Sequence, residues 1–581
     1  MKTLNLHVDY IKFKPLKKAL KNVDALTGEA KKEKKIDEAL AVMTAVEKHD
    51  SISGEIKEIV EKFVESIKDI AGQVGAKNIV LYPYAHLSSE LAQPEIAVGV
   101  LDEAEKILRK IKGFKIFRAP FGYYKEFELK VKGHPLSELS REIRLDKIED
   151  SKSGIKVEEK YDEKKLLQEI SKTKLDSSKL KDNDHRIIGK QMDLYSFSEV
   201  APGMVFWHNN GLIIRNQLID FWREVHRKEG YEEISTPQIL DKKLWQISGH
   251  WEKYKENIFL TEYEKRIFAV KPMNCPGGML IFKNSPKSYR DLPLRVGEIG
   301  IVHRQELSGV LGGLFRAIQF TQDDAHIFCT EKQLENEISR IMNIVEYFYS
   351  EIFNFSYYVE LSTRPEKRIG SDKIWDKAEN TLKRILDKKK IKYKINKGDG
   401  AFYGPKIDFH LKDSLGRTWQ CATIQLDFAM PERFDLVYTD KDNKRKRPIM
   451  LHRVIYGSVE RFIGILIENY NGRLPTWLAP EQIRILSFTD RNKKYCEEVF
   501  KILKEKIPGL RIKNDLSQRT IQAKVKDAEI MRVPYIIVLG DREQNEKNLA
   551  VRIRGNKKIQ IFNLEDFIEK LKDEISERKI N

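Results

Sequence analysis

The stretch that decides the fold is QFTQDDAHIF, residues 319–328, a strand-like segment with apolar residues toward both ends and a polar middle. Successive side chains of a strand point to opposite faces, so Gln322, Asp324 and His326 are predicted to share one face. An amide, a carboxylate and an imidazole are costly to bury unless each finds a partner. The pattern therefore predicts a strand that carries a binding site on one face.

Length and composition set the broad class of the protein. At 581 residues the chain is long enough for several domains, and about 150 residues per domain suggests three or four. No apolar run is long enough to span a bilayer, and the first ten residues lack the apolar core of a signal peptide. We expect a cytoplasmic protein, since its cysteines are too widely spaced for a disulfide framework: Cys275, Cys329, Cys421 and Cys496.

The charge balance is basic. Lys plus Arg exceed Asp plus Glu by 17, and the sequence pI is about 9.2. Such an excess favours a polyanionic partner, with nucleic acid first. A solvated surface rich in Lys and Glu, as in heat-adapted proteins, is the alternative, and composition alone leaves both open.

The N-terminal part, residues 1–145, is predicted to mix strands and helices. Residues 53–75 have apolar side chains at helical spacing, and Gly75 is a plausible stop. Residues 114–133 have the pattern of a β-hairpin that turns at residues 119–122.

Three further segments follow. Residues 146–183 are highly charged and poor in large apolar side chains, which is typical of a linker that includes at most a solvated helix. Residues 184–479 are richer in aromatic residues, Gly and Pro, and are predicted to form the main domain. Residues 480–581 alternate strands with helices, which predicts a compact α/β domain around a mostly parallel sheet.

The chemistry-bearing motifs lie in the main domain, which has neither a Walker loop nor a Rossmann glycine pattern. Residues 209–237 form a helix and a strand-like segment that ends at Pro237. Residues 298–320 read as two strands joined by a glycine-rich loop, and residues 452–470 place Arg461 at the head of an apolar helix. These segments resemble motifs 1, 2 and 3 of the class II aminoacyl-tRNA synthetases, in that order.

The details are similar to one family within that class, the threonyl-tRNA synthetases. The segments that carry this resemblance, besides residues 319–328 and 452–462, are SGHWEKY (248–254), MNCPGG (273–278), AFYGPKIDF (401–409) and WQCATIQLDF (419–428). Each is a weak signal alone, but six in register are specific. The resemblance implies an α/β multidomain fold: a class II antiparallel-sheet catalytic core, an N-terminal α/β editing domain and a C-terminal α/β anticodon-binding domain.

The resemblance also implies a zinc ion in the amino-acid pocket, one per subunit, held by Cys275, His326 and His452. One thiolate and two neutral imidazoles leave an open fourth position for a substrate. Threonine can fill it with its amino and hydroxyl groups, whereas the isosteric valine cannot, and an apolar pocket alone would discriminate poorly between them. Taken without the resemblance, the three residues are more simply interpreted as an ordinary buried Cys and two satisfied core histidines.

The same resemblance assigns the rest of the threonine pocket. Asp324 would take the ammonium group of the substrate, with Gln322 nearby. Tyr403 and Gln425 match pocket residues of the family and would complete the cage.

ATP-binding residues are implied by motifs 2 and 3. Arg304 matches the arginine that clamps the α-phosphate, Arg461 the motif 3 arginine, and Arg316 a further phosphate contact; guanidinium suits these bidentate roles. Glu306 matches the residue that reads the adenine edge and Phe320 the ring that stacks on adenine. Mg²⁺ should accompany ATP. In isolation, Arg304 and Glu306 would be interpreted as a solvated ion pair at a strand end.

Two further catalytic residues are implied, and three positions depart from the family pattern. Lys406 would meet the substrate carboxylate and the developing phosphorane. His250 matches a histidine with a general-base role in transfer to tRNA, and its alternative role is simple hydrogen bonding. The departures are Gly278 and Gly312, where the family usually has His, and Ile318, where it has a basic residue.

The C-terminal domain resembles the anticodon-binding domain of several class II synthetases. Glu543 and Arg552 match residues that contact anticodon bases, which are read through their exposed edges and by stacking. The alternative for Arg552 and Arg554 is a solvated strand face.

The N-terminal module resembles the editing domain of archaeal threonyl-tRNA synthetases, which is akin to D-aminoacyl-tRNA deacylases. Serine also carries the hydroxyl and lacks only a methyl group, a difference of roughly 1–3 kcal/mol, so a second site must remove it. The matched positions are His86, Tyr124, Lys125 and Glu138. Either these side chains or groups of the RNA would carry out the hydrolysis.

The function implied is that of a threonine–tRNA ligase that binds ATP, L-threonine and tRNA(Thr), edits mischarged seryl-tRNA(Thr), and forms a homodimer through motif 1 and Pro237. A ligase for serine or proline is a rival, and the Cys–His–His set and Asp324 speak against it. A catalytically weak paralogue that acts as a tRNA-binding or regulatory protein is a second alternative, supported only by the three departures.

Overall fold

The structure is a computed structural model, and it describes residues 1–20, 25–51, 56–88, 91–134, 136–143, 164, 167, 180–413 and 416–580. The chain divides into two compact units, residues 1–159 and 160–581, which are described separately below. The predicted linker, residues 146–183, lies almost entirely outside the described residues.

The first unit is one mixed sheet with two helices. Its helices are α1 (Ile56–Val74) and α2 (Pro94–Arg109). Its strands are β1 (Lys2–Lys18), β2 (Lys34–Ala45), β3 (Asn78–Pro83), β4 (Lys115–Arg118), β5 (Tyr123–Val131) and β6 (Glu138–Glu142). The strand order is β4-β3-β2-β1-β5, and β6 also pairs with β1. Apolar side chains of both helices and of β2 and β3 form one core.

Helix α1 confirms the periodicity of its sequence. The predicted apolar positions, among them Phe63 and Ile67, are buried, except Ile56 at the first position of the helix, which is exposed. The helix ends where Gly75 adopts a φ of +71°, a left-handed conformation that suits glycine.

The predicted hairpin at residues 114–133 is wrong. β4 pairs in parallel with β3, while β5 pairs antiparallel with β1, so the two strands lie at opposite edges of the sheet. Residues 119–122 therefore connect two edge strands and do not form the turn of a hairpin. Local alternation identified both strands but not their partners, which long-range pairing selects.

The second unit contains the eight-stranded central sheet, in the order β16-β15-β17-β18-β21-β14-β13-β9. Its strands are β9 (Glu232–Glu233), β13 (Leu294–His303), β14 (Gln319–Cys329), β15 (Ser356–Ser362), β16 (Tyr393–Asn396), β17 (Lys406–Lys412), β18 (Thr418–Asp427) and β21 (Ile449–Val454). The six inner strands pair antiparallel, and only the two outer strands run parallel to their neighbours. This is the antiparallel core expected from the motifs.

Smaller strands and the helices surround this sheet. The small strands are β7 (Tyr195–Ser196), β8 (Phe206–Trp207), β10 (Ile239–Asp241), β11 (Leu260–Tyr263), β12 (Arg266–Val270), β19 (Tyr438–Thr439) and β20 (Arg445–Lys446). The helices are α3 (His185–Gln191), α4 (Asn209–Lys228), α5 (Lys242–Ser248), α6 (His250–Lys253), α7 (Cys275–Lys283), α8 (Glu331–Glu346), α9 (Asp372–Lys388), α10 (Ala429–Arg433) and α11 (Val459–Asn469). A π-helical turn, Tyr347–Ile352, extends α8. The largest apolar core packs α4, α8, α9 and α11 against the central sheet.

The C-terminal part of this unit has a five-stranded sheet in the order β23-β22-β24-β25-β26. Its strands are β22 (Ile483–Ser487), β23 (Ile512–Asp515), β24 (Tyr535–Leu539), β25 (Asn548–Ile553) and β26 (Ile559–Asn563). Its helices are α12 (Lys493–Lys506), α13 (Ile521–Ile530), α14 (Asp541–Glu546) and α15 (Leu564–Ser576). The first three strands are parallel as expected, but β25 and β26 add an antiparallel ribbon.

In the part of the chain that the structure describes, no helix is both long and apolar enough to cross a membrane.

Candidate active site

Three elements of the second unit bring Cys275, His326 and His452 together. His326 on β14 is the direct register partner of His452 on β21, and Cys275 is the first residue of α7. One donor atom of each residue lies within 4.8 Å of the others, and all three side chains are buried.

The donor set fits a tetrahedral zinc site. Nε2 of His326 is buried without a hydrogen-bond partner among the described residues. Burial lowers the pKa of His326 well below its usual value, with further lowering by His452 and Arg453. The neutral imidazole is the form that binds a metal. Burial raises the pKa of the Cys275 thiol, so metal binding would have to release its proton.

Asp427 contacts a predicted metal ligand, and the sequence interpretation missed it. Its Oδ2 lies 2.9 Å from Nε2 of His452, while its Oδ1 accepts from the backbone N–H groups of Ala429 and Met430 at 2.8 and 2.9 Å. A carboxylate that accepts the N–H of one imidazole nitrogen orients the ring so that its other nitrogen can bind a metal. The local sequence signal is an Asp at the end of β18, two residues before the short helix α10.

The predicted threonine-pocket residues lie around Cys275, His326 and His452, which we call the zinc trio. Asp324 is buried beside it, with Oδ1 3.7 Å from Nε2 of His326, and burial raises its pKa to about 6. Gln425 is the register partner of His452 on β18. The ring centroid of Tyr403 lies 5.1 Å from that of His452. Gln322 is half-buried on the same face of β14.

Asp323 points to the opposite side of β14 and joins two motifs. Its carboxylate accepts backbone N–H groups from Ile455, Tyr456 and Gly457 at 2.8–3.0 Å. It is fully buried, and burial raises its pKa to about 7 against the lowering by Arg453 and these bonds. The sequence showed Asp323 but not this role, because its partners are distant along the chain.

Of the predicted ATP residues, Arg304, Glu306 and Arg316 lie in the connection between β13 and β14, and Phe320 lies at the start of β14. The guanidinium of Arg304 lies over the ring of Phe320, 5.1 Å from its centroid, and Nε donates to the Pro272 carbonyl at 3.2 Å. Glu306 and Arg316 bind each other, with Nη2 2.8 Å from Oε2. The predicted roles of Glu306 and Arg316 would require this ion pair to open.

Arg461 is held by backbone carbonyls. It lies in the first turn of α11, where Nε donates to the Phe315 carbonyl at 3.0 Å and Nη1 to that of Gln420 at 3.3 Å. Lys406 on β17 is bound by two carboxylates, with Nζ 2.9 Å from Asp408 Oδ2 and 3.1 Å from Asp399 Oδ2.

His250 is fully buried, which bears on its predicted role. Burial lowers its pKa to about 3, with smaller lowering by His452, Arg304 and Arg433. Nδ1 lies 2.8 Å from the Ser248 hydroxyl oxygen. A side chain with so low a pKa is a weak base at neutral pH, so the environment favours a hydrogen-bonding role.

The three departures occupy different environments. A Cβ at Gly278 would lie 3.3 Å from Nδ1 of His326, so a side chain there would press on a predicted metal ligand. A Cβ at Gly312 would meet nothing within 4 Å. Ile318 is buried, and its main chain bonds to Gly203 and Arg304.

The first unit contains a separate cavity of about 510 Å³. His86, Tyr124 and Lys125 line it, together with aromatic residues such as Tyr82 and Phe127. Nζ of Lys125 donates to the Pro120 and Tyr123 carbonyls at 3.0 Å each, and burial lowers its pKa to about 8.

Glu138, the fourth predicted editing residue, is not among the residues lining this cavity. It is exposed on β6, opposite Leu6 of β1. The structure therefore does not bring Glu138 together with the other three residues, because the pairing of β6 with β1 places it elsewhere on the sheet.

The predicted anticodon residues lie in the C-terminal part. Glu543 lies in the first turn of α14, where its Oε2 accepts the Gly540 N–H at 2.9 Å. Arg552 lines a pocket of about 290 Å³ with Arg473, Arg532 and Arg554. Arg554 is no solvated side chain, because its guanidinium donates to the Leu474 and Arg532 carbonyls and burial lowers its pKa to about 10.

A largely antiparallel sheet of this order, with Cys275, His326 and His452 brought together on its inner side, has the architecture of a class II aminoacyl-tRNA synthetase core. Family models agree: an archaea-specific editing domain of threonyl-tRNA synthetase matches residues 1–143, a class II core domain (G, H, P, S and T) residues 259–470, and an anticodon-binding domain residues 482–574.

The similar proteins narrow the class to one family. The threonine–tRNA ligase of Natranaerobius thermophilus is 53% identical over 397 residues, 68% of this chain and 62% of that protein. That of Caldanaerobacter subterraneus subsp. tengcongensis is 51% identical over 433 residues, 72% of this chain and 67% of that protein. A crystal structure of the RNA-binding domain of threonyl-tRNA synthetase from Cryptosporidium parvum Iowa II superposes with a TM-score of 0.65 at 39% identity, over 67% of this chain and 98% of that one.

The chain belongs to the threonyl-tRNA synthetase family. It spans about 62% of the length of the first of these relatives.

Proposed function

We propose that the chain is a threonine–tRNA ligase that activates L-threonine with ATP, transfers it to the 3′ end of tRNA(Thr), and hydrolyses mischarged seryl-tRNA(Thr). The observation that carries the proposal is the convergence of Cys275, His326 and His452 beside the buried carboxylate of Asp324. Such a site selects an amino acid whose side chain, in addition to its amino group, can bind the metal.

Amino-acid selection would rest on two features. Zinc, when bound by the trio, would supply an open coordination position that the threonine amino and hydroxyl groups can fill. Asp324 would accept the ammonium group, while Tyr403, Gln425 and Gln322 would enclose the side chain. Valine lacks the hydroxyl and would leave the buried polar groups unpaired, which is how a site rejects an isostere.

Activation joins a threonine carboxylate oxygen to the α-phosphorus and releases pyrophosphate. Arg304 and Arg461 would hold the phosphates, and their contacts to the Pro272 and Phe315 carbonyls orient both side chains before ATP arrives. Phe320 would stack on adenine and Glu306 would read its edge once Arg316 turns to the phosphates. Mg²⁺ would accompany ATP, and Lys406 would move from its carboxylate partners to the substrate carboxylate.

The transfer step brings the terminal ribose hydroxyl of the tRNA to the adenylate carbonyl. His250 would stay neutral there, because its pKa of about 3 lies far below physiological pH. It would serve as a hydrogen-bonding residue that orients the 3′ end.

Editing would use the cavity of the first unit, with His86, Tyr124 and Lys125 as its polar residues. Two carbonyls hold the Lys125 ammonium and leave its remaining N–H for the substrate. Glu138, which is exposed on β6, is left out of this proposed site.

Recognition of tRNA would involve Glu543 and Arg552, and the net charge of +17 would aid association. We further propose a homodimer through α4 and Pro237, and a cytoplasmic location. The weak-paralogue alternative is not favoured, because the predicted metal, ATP and threonine residues are all present and close together.

The test is amino-acid-dependent ATP–pyrophosphate exchange on zinc-replete protein with threonine, serine and valine. We expect exchange with threonine and serine and none with valine. Exchange with valine would overturn the assignment of the zinc trio. No exchange with any of the three amino acids would overturn the proposed ligase activity.

A further inference from the structure

His185, at the start of α3, lies outside every motif used so far and is 1% exposed. Its Nε2 accepts the backbone N–H of Leu314 at 3.1 Å, and its Nδ1 lies 2.7 Å from Oε1 of Glu468 on α11. Because a backbone N–H can only donate, Nε2 carries no proton, and Nδ1–H donates to the carboxylate. The two contacts thereby select one neutral tautomer.

Together with Asp184 and Glu468, His185 forms a cluster with the spacing of a metal site. Its partners argue against a metal. The single ring lone pair is occupied by the Leu314 N–H, Asp184 binds Arg186 at 2.8 Å, and Glu468 binds Arg417. The cluster is a satisfied hydrogen-bond network, and its contacts therefore point to positioning of the loop that it touches.

The loop in question is the glycine-rich loop of motif 2, and it holds a predicted ATP ligand. The residue after Leu314 is Phe315, whose ring packs on His185 with centroids 4.4 Å apart and stacks on Trp419 at 4.3 Å. The Phe315 carbonyl accepts from Nε of Arg461 at 3.0 Å. His185 thus fixes the backbone one residue before the carbonyl that orients this arginine.

The close approach is built into the loop sequence. Gly313 has a φ of +58°, and a Cβ there would lie 2.4 Å from Nε2 of His185. Only glycine allows the imidazole to reach the main chain at this point.

We propose that His185 is a positioning residue for ATP binding, which holds the motif 2 loop on α11 so that Arg461 faces the phosphates. This inference rests on the proposed ATP-dependent function. It concerns the ATP half of the site, because no contact of His185 reaches the zinc trio or Asp324 in the described part of the chain.

Two variants separate the contacts of the ring. In His185→Gln the longer amide can reach Leu314, whereas in His185→Asn the shorter amide can reach only Glu468. We expect His185→Asn to raise the KM for ATP about tenfold or more and to lower kcat, while the KM for threonine stays within about twofold. His185→Gln should stay within about threefold of wild type in the KM for ATP.

The control is His410→Asn, which removes a half-buried imidazole that stacks on Tyr358 and lies 3.3 Å from Glu360. Melting temperatures show whether each variant folds, and ATP Kd by equilibrium dialysis measures binding without the reaction. An ATP KM and Kd for His185→Asn within twofold of wild type, or equal impairment of His185→Gln, would overturn the inference. A wild-type chain that binds ATP but gives no threonine-dependent exchange would instead overturn the proposed function.

Discussion

His326 and His452 face each other directly across the β14–β21 pairing, with ring centroids 5.1 Å apart and planes at 89°. The edge-to-face arrangement turns a nitrogen of each ring toward the same small volume, beside the Cys275 sulfur. Strand register, and no local spacing motif, creates this donor set.

Removing the thiolate should abolish both the metal and the rejection of valine. In Cys275→Ser we expect loss of most of the bound zinc and a threonine-to-valine ratio in pyrophosphate exchange of about 10² or less, as in a pocket that excludes isosteres by shape alone. Zinc content by atomic emission and exchange rates check this. The control is Cys496→Ser, which changes another buried free cysteine. A Cys275→Ser protein that keeps its zinc would contradict the assignment of Cys275 as a zinc ligand.

Asp427 should tune zinc affinity through His452. Asp427→Asn keeps an oxygen for the Ala429 and Met430 N–H groups but removes the charge facing Nε2, so zinc affinity should fall about 10- to 100-fold. Competition with a chromogenic chelator measures it. Asp515→Asn, which removes a carboxylate that caps Ser517, is the control. Unchanged affinity in Asp427→Asn would contradict the orienting role.

Lys125 should give editing a pH dependence. Its pKa is lowered to about 8, so the ammonium that donates to the two carbonyls is lost as pH rises through about 8. Deacylation of seryl-tRNA should therefore fall above that pH, and Lys125→Met should be slower by about 10²-fold or more at pH 7. Initial rates between pH 6.5 and 9.5 decide this, with the exposed Lys130→Met as control.

The lowered pKa of Lys125 also affects stability. Editing should fall as the pH rises, whereas the free energy of unfolding should rise. Between about pH 8 and the ordinary lysine value near 10.5, the unfolded chain binds more protons at this site than the folded one. The free energy of unfolding of the wild type should therefore rise with pH across that window, and Lys125→Met should remove this contribution. Urea titrations of both proteins at pH 7.5 and 9.5 compare them.

His250 should remain neutral throughout the physiological range. Between pH 6 and 8, the pH profile of transfer from adenylate to tRNA should have the same shape in the wild type and in His250→Gln, because the pKa of His250 is about 3. His250→Gln, which keeps a neutral hydrogen-bonding group, should lose less than about tenfold, whereas removing a well-matched general base costs about 10²–10⁴-fold. Single-turnover transfer measures both; a step near pH 6.5 that disappears in the variant would restore the general-base role.

The sequence by itself determined most of the local structure and the class of the chemistry. Alternation in residues 319–328 correctly placed Gln322, Asp324 and His326 on one face of a strand, since side-chain direction follows from backbone geometry alone. Helical spacing and Gly75 likewise determined α1 and its end. The motifs then pointed to the family, because six short patterns in one order rarely coincide.

Only the tertiary structure decided which distant segments meet. It placed β4 and β5 at opposite edges of a sheet where a hairpin was predicted. It also left Glu138 away from the other predicted editing residues. It also brought Asp427 to His452 and His185 to Leu314. These contacts join residues through strand register and packing between elements far apart in sequence, and such long-range pairings are chosen by burial of the whole core, which no local pattern encodes.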